Sequence, residues 1–206
     1  MTPYKDYGYF DMYENHAHAY ISQPLLKLLD HQTNKCILDM GCGNGSLVRF
    51  LLGRGFDAYG VDASVSGIDI ASRAHPERFE LVDFSEPALP QEFKERSFDT
   101  IVSTEVIEHL YDPRDFIDLC KGILPTGGQL ILSTPYHGYL KNLMISLSGK
   151  WDRHMNPLWD GGHIKLWSRD TITKLLEEKG FKVTDFKGCG RIPYLWKSMV
   201  IKAVLL

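Results

Sequence analysis

Short apolar runs recur along the first two-thirds of the chain. Each ends in a polar or acidic residue, and most are followed by apolar positions at helical spacing. This alternation predicts strands over 35–40, 57–61, 79–82, 98–103 and 129–133. The helices predicted around them are one ending over Leu25 to Leu29, one around Leu47 to Leu52, one over 65–74 and one over 113–122. Gly53 and Gly55 stop the second helix. Ser64 caps the third, and Asp112 with Pro113 opens the fourth. The segment between 83 and 96 reads as a polar, proline-bearing loop.

The alternation breaks at 135–167, which carries Pro135, Gly149, Pro157, Gly161-Gly162, an apolar stretch Leu140 to Leu147 and Trp151, Trp159 and Trp167. Ser168 then caps a helix over 169–179, and two β-rich runs follow, 181–186 and 199–205, joined by a loop over 188–197. Strands alternating with helices define an α/β chain with a parallel sheet covered on both faces. At 206 residues it reads as one domain over 1–206. Residues 1–30 form an N-terminal helical flap or edge helix rich in aromatic and imidazole groups (Tyr4, Tyr7, Tyr9, Tyr13, His16, His18, Tyr20), and 135–167 form an insert.

Ligands of such sheets bind beyond the carboxyl ends of strands. Asp39, Asp62, Asp83 and Glu105 all fall at or just past such ends. After Asp39 comes Met40-Gly41-Cys42-Gly43-Asn44-Gly45, where glycines permit a tight turn and a close approach of backbone N–H groups to a ligand. A nicotinamide dinucleotide calls for G-x-G-x-x-G. Here the third glycine arrives one residue early and a carboxylate precedes the turn. Acids placed this way suit a cofactor without phosphates that carries an amino group, a sulfonium and a ribose.

The motif Leu38-Asp39-Met40-Gly41-Cys42-Gly43-Asn44-Gly45 resembles that of the class I S-adenosylmethionine-dependent methyltransferases, over roughly residues 30–205. The resemblance implies a Rossmann-like, doubly wound, seven-stranded and mostly parallel sheet with an antiparallel last strand. It implies that S-adenosyl-L-methionine is the cofactor, with Asp39, Gly41 and Gly43 along its methionine part. Asp62 and Ala63 would lie at the ribose, Asp83 and Phe84 at the adenine, and Ser103 and Thr104 would close the pocket.

Glu105-x-x-Glu108-His109 carries the acceptor chemistry. If the segment is helical, its three side chains share a face. The spacing resembles that of the ubiquinone-biosynthesis O-methyltransferases and of the small-RNA 3′-terminal 2′-O-methyltransferases. In both, the resemblance implies a divalent metal (Mg, Mn or Zn) on Glu105, Glu108 and His109; in the RNA enzymes a further histidine of the insert can complete the site, for which His163 is the candidate here. Glu108, His109 and His163 are equally candidates for catalysis without metal, an imidazole serving as general base, or for a structural role. His137 and His154 read as surface residues. The quinone group carries an Arg near its N-terminal helix for the cofactor carboxylate. This chain has none before Arg49, which leaves that role to a Tyr or His of the first segment.

Charge and composition narrow the acceptor. Net charge is −3 and no basic stripe is interleaved with aromatics, which disfavours nucleic acid. The aromatic, apolar insert suits a small aromatic or glycosidic hydroxyl, with O-methylation ahead of N-methylation of a small amine or sugar. A cofactor-binding protein without catalysis is the non-enzymatic alternative. Leu140 to Leu147 reads as a lid on the domain, ahead of a peripheral membrane contact. Four scattered cysteines without a C-x-x-C pair and an opening Met-Thr-Pro-Tyr-Lys-Asp fit a cytoplasmic setting. Oligomeric state has no signature.

Overall fold

A computed structural model describes residues 6, 8–13, 18–84 and 89–206. The elements in order are α1 (His18–Leu26), β1 (Cys36–Met40), α2 (Ser46–Leu52), β2 (Asp57–Asp62), α3 (Val65–Ala71), β3 (Phe79–Leu81), α4 (Gln91–Lys94), β4 (Thr100–Thr104), α5 (Pro113–Ile123), β5 (Gln129–Pro135), α6 (Tyr139–Leu147), α7 (Trp151–His154), α8 (Arg169–Glu178), β6 (Phe181–Cys189) and β7 (Ser198–Leu205). The strands form one seven-stranded sheet in the order β3-β2-β1-β4-β5-β7-β6. β1 to β5 run parallel, and β7 runs antiparallel to both β5 and β6. This is the Rossmann-like architecture expected from the sequence. The strand order reverses between β1 and β4, the place where open α/β sheets hold ligands.

The central strands are buried on both faces, so their side chains sort alternately into two cores. Leu38, Ile101 and Leu130 face one core with Phe116 and Ile117 of α5 and Leu175 and Leu176 of α8. Ile37, Val102 and Ile131 face the other with Ile21 and Leu25 of α1 and Leu47 and Leu51 of α2. Ser64 caps α3 by accepting from Gly67 N, and Ser168 forms a capping box with Thr171.

Several boundaries differ from the sequence pattern. The first helix spans 18–26, because Pro24 and the Asp30–Asn34 turn stop it short of Leu29. α3 ends at Ala71, and β4 starts at Thr100, with Phe98 packed ahead of it. The loop before Arg96 holds α4, anchored by buried Phe93. Asp112 precedes α5 without a side-chain cap bond. β6 continues to Cys189 because β7 pairs with it as far as Ser198.

The N-terminal segment also differs from a helical flap. Tyr4, Tyr7 and His16 lie outside the described residues. Residues 8–13 are irregular rather than helical: Gly8 has φ +75°, and Asp11 Oδ1 takes the Tyr13 amide in a local turn. The apolar stretch of the insert forms α6. It buries Lys141 and Ile145 and leaves Leu140, Leu143, Met144 and Leu147 exposed. Among the described residues, no helix is long and apolar enough to cross a membrane.

Candidate active site

Two groups of side chains meet beyond the carboxyl ends of β1, β2, β4 and β5. The first surrounds the glycine turn. Gly41, Gly43 and Gly45 all have positive φ (88°, 52° and 74°), which only glycine adopts without strain. A side chain at Gly41 would collide with Val106, and one at Gly43 with Tyr9 of the irregular N-terminal segment. Asp62 at the end of β2 shapes the turn: Oδ2 accepts from Gly43 N at 2.7 Å and Oδ1 from Ser64 N at 2.7 Å. Burial pushes its pKa up, against the pull of those amides.

Asp39 is 1% exposed on β1, and its Oδ1 has no hydrogen-bond partner among the described residues. Burial, then the neighbouring Asp62, pushes its pKa well up. An unsatisfied buried carboxylate oxygen is costly. At the mouth of a glycine turn it fits a cationic hydrogen-bond donor, such as an amino group.

Ser103 Oγ donates to Met40 O at 2.7 Å, tying β4 to β1. His18 of α1 bridges the start of α2 and the end of β4, with Nδ1 2.7 Å from Ser46 Oγ and Nε2 3.4 Å from Thr104 Oγ1. Asp39, Gly41, Gly43, Asp62, Ala63, Ser103 and Thr104 thus share one rim. Asp83 and Phe84 follow β3, where the Phe84 ring packs edge-on against Phe116.

The second group lies past β4 and β5. Glu105 has φ 55°, a strained conformation for a residue other than glycine, and only Ile107–His109 forms a turn of 3₁₀ helix. The segment is therefore not the α-helix that would align Glu105, Glu108 and His109. Glu105 turns aside instead, accepting from Ser133 Oγ at 2.8 Å and Ser198 Oγ at 3.1 Å, and burial pushes its pKa up to about 7. Glu108, His109 and His163 converge without it, their ligand atoms all within 4.8 Å of one another.

Glu108 is fully buried, and neither of its carboxylate oxygens has a hydrogen-bond partner among the described residues. Burial, then the charge of Glu105, pushes its pKa well up. Its Oε1 stands 3.9 Å from Nε2 of both His109 and His163. His109 Nδ1 lies 2.7 Å from Gly161 O, a carbonyl that can only accept, so Nδ1 carries the proton and Nε2 is the acceptor nitrogen of the neutral ring. Burial, followed by the charges of His109, His137 and Lys141, pushes His163 down to about 4. The insert is pinned here because Ile164 N and Lys165 N both donate to Glu108 O.

His137 corrects the sequence reading. It is buried, with Nδ1 3.1 Å from Asn142 Oδ1, rather than on the surface, and it lines a cleft of about 360 Å³ beside this group. Tyr20, Lys141, Lys197 and Ser198 line the same cleft and were missed by the sequence reading. The sequence signal at Lys141 is a lone cation inside the apolar stretch Leu140 to Leu147.

A family model described as a methyltransferase domain matches residues 13–185, and the chain belongs to that family. The fold and the glycine-turn motif place it among the S-adenosylmethionine-dependent methyltransferases. It is 30% identical over 154 residues to the ubiquinone biosynthesis O-methyltransferase of Dinoroseobacter shibae, covering 74% of this chain and 62% of that one. The protein of the same name from Roseobacter denitrificans is 32% identical over 168 residues, with 78% and 65% covered. The chain thus spans somewhat under two-thirds of the length of these relatives. The magnesium protoporphyrin IX methyltransferase of Synechocystis, solved with bound S-adenosylhomocysteine, shares the fold at a TM-score of 0.67 and 20% identity, over 93% of this chain and 84% of that one.

Proposed function

We propose that this protein is an O-methyltransferase that moves the methyl group of S-adenosylmethionine to a hydroxyl of a small aromatic or glycosidic acceptor. In this reading residues 1–206 act as one methyltransferase domain, the first segment covers the cofactor, and 135–167 form the acceptor insert. The observation that carries it is the buried, unpartnered Glu108 carboxylate facing two imidazole nitrogens, one turn past the strand end that borders the glycine turn. Kinship to proteins named ubiquinone biosynthesis O-methyltransferase supports a phenolic hydroxyl.

S-adenosylmethionine supplies an electrophilic methyl carbon on a sulfonium. The residues have three tasks around it. Asp39 offers its orphaned oxygen to the amino group, and Asp62 at the end of β2 faces the ribose. The pinned insert excludes water from the acceptor. A phenol with a pKa of about 10 is mostly protonated at neutral pH, so its proton needs a home. Glu108, made more basic by burial, and His109 Nε2 are placed to take it.

The same trio fits a divalent cation such as Mg, Mn or Zn. It offers one carboxylate and two imidazoles, and His109 Nδ1 already donates to a carbonyl as metal-bound histidines do. A cation held there lowers the pKa of a hydroxyl bound to it.

The test is turnover of S-adenosylmethionine with a catechol panel. Glu108→Gln is expected to lower kcat by about 10² or more while leaving S-adenosylhomocysteine affinity unchanged. Full activity in that variant would end the reading. Chelation with EDTA followed by re-addition of each cation separates the metal-assisted route, which loses and regains turnover, from the base-only route, which does not respond.

A further inference from the structure

Helix α6 is arranged the wrong way round for a surface helix. Leu140 and Leu147 are 43% and 74% exposed, while Lys141 is only 9% exposed. Long cationic side chains ordinarily reach for water and apolar ones turn inward. Here the ammonium is drawn into the cleft beside Glu105 and His163.

Lys141 Nζ has three protons to donate, yet its one hydrogen bond among the described residues goes to Lys197 O at 3.1 Å. Among the described residues, no carboxylate lies within ion-pairing distance of it. Burial lowers its pKa to about 8, with Glu105 acting the other way, so it is still mostly charged at neutral pH. Arg153 and Lys197 add two further cations to the same lining, and His137, His154 and His163 add three imidazoles. The only carboxylate in that lining is Glu105, already engaged by Ser133 and Ser198. A chain with a net charge of −3 thus gathers three cations around a cleft of about 360 Å³.

We infer that this cleft binds an oxyanion of the acceptor, a carboxylate or a phosphate, with Lys141 as the buried anchor and Arg153 and Lys197 at its mouth. The anion sets the acceptor's orientation and brings its hydroxyl to the Glu108 group. Neutral acceptors of the same shape would lack that anchor. The inference deepens the methyltransferase reading and rests on it for its biology, but the cleft can be tested by binding alone.

The experiment is calorimetric titration of 3,4-dihydroxybenzoate, 3,4-dihydroxyphenylphosphonate and the neutral 3,4-dihydroxybenzamide, each with and without S-adenosylhomocysteine. At least one anion is expected to bind about tenfold or more tightly than the amide, and the ratio between the two anions tells carboxylate from phosphate. Lys141→Met should erase the preference and leave amide affinity unchanged, and Lys141→Arg should restore part of it. Arg153→Gln, at an exposed position where folding is not at stake, should weaken the preference and keep the melting temperature. Equal binding of amide and anions by the wild type overturns the inference, as does a preference that survives both Lys141→Met and Arg153→Gln, or no binding of any of the three. Anion binding without methyl transfer would instead count against the O-methylation reading and leave the anion site standing.

Discussion

The two halves of the site treat their polar groups differently. Around the glycine turn, the chain satisfies itself: Asp62 takes two backbone amides, Ser103 takes the Met40 carbonyl, and His18 joins Ser46 to Thr104. Asp39 Oδ1 is the exception. Past β4 and β5 the balance is reversed. Glu108 has two orphaned oxygens, Lys141 has donors to spare, and Glu105 is held in a strained backbone by two hydroxyls. The rim of the glycine turn is thus satisfied by the chain itself, whereas the side past β4 and β5 carries unmet demand that a substrate, proton or cation can meet. Buried polar groups left without partners are expensive, and the place where a protein tolerates several together is a place to look for chemistry.

Three changes bear on this contrast. The largest effect is expected at Asp62, which shapes the turn and, in the proposed function, faces the ribose. Asp62→Ala removes the acceptor of two backbone amides, and hydrogen bonds to a charged group are worth about 1.5–3 kcal/mol each. A loss of S-adenosylhomocysteine affinity of about 10² or more should follow in calorimetry, and unchanged affinity would break the view of a preformed rim.

Glu105→Gln comes next. With its pKa raised to about 7 against an ordinary carboxylate value of 4.5, the folded protein binds a proton that the unfolded chain has released. Stability therefore falls as pH rises from about 4.5 to 7 and is flat above. The glutamine variant lacks this slope, so its advantage in unfolding free energy should be nearly absent near pH 4.5 and grow to about 3 kcal/mol by pH 8. An advantage that is the same at all pH values would show that Glu105 is not under strain of charge.

The smallest effect serves as a control. Ser168→Ala removes the α8 cap at the far end of the insert and should cost about 1 kcal/mol in denaturant unfolding. Cofactor affinity and the preference for anions should not move.

The same contrast explains what the sequence disclosed. The strand–helix alternation, the glycine turn and the acids at strand ends were legible because they are local, and the family resemblance supplied the seven-stranded sheet. An apolar run followed by Asp39 and three glycines has few other uses, and positive φ at Gly41, Gly43 and Gly45 is what those residues are for. The acceptor side is assembled from α1, the turn after β4, the insert and the start of β7, so no window of sequence contains it. Spacing suggested that Glu105, Glu108 and His109 share a helix face. The left-handed conformation at Glu105, stabilised by Ser133 and Ser198, overrides that pattern. Lys141 sits in an amphipathic pattern that places it outside, and only the cleft next to it, lined from distant segments, turns that helix over.

Pairing of Pro135 with Ser198 in the antiparallel register has a consequence for biosynthesis. The hydroxyl that holds Glu105 lies 93 residues further along the chain. At about 5–20 residues per second, a ribosome would deliver it roughly 5–20 s later. Until β7 docks, Glu105 has the Ser133 hydroxyl but lacks that of Ser198. The two Asp62 bonds that shape the glycine turn, by contrast, join residues no later than Ser64. Arrival of β7 is then the event that gives Glu105 its second hydroxyl and closes the sheet beside β5.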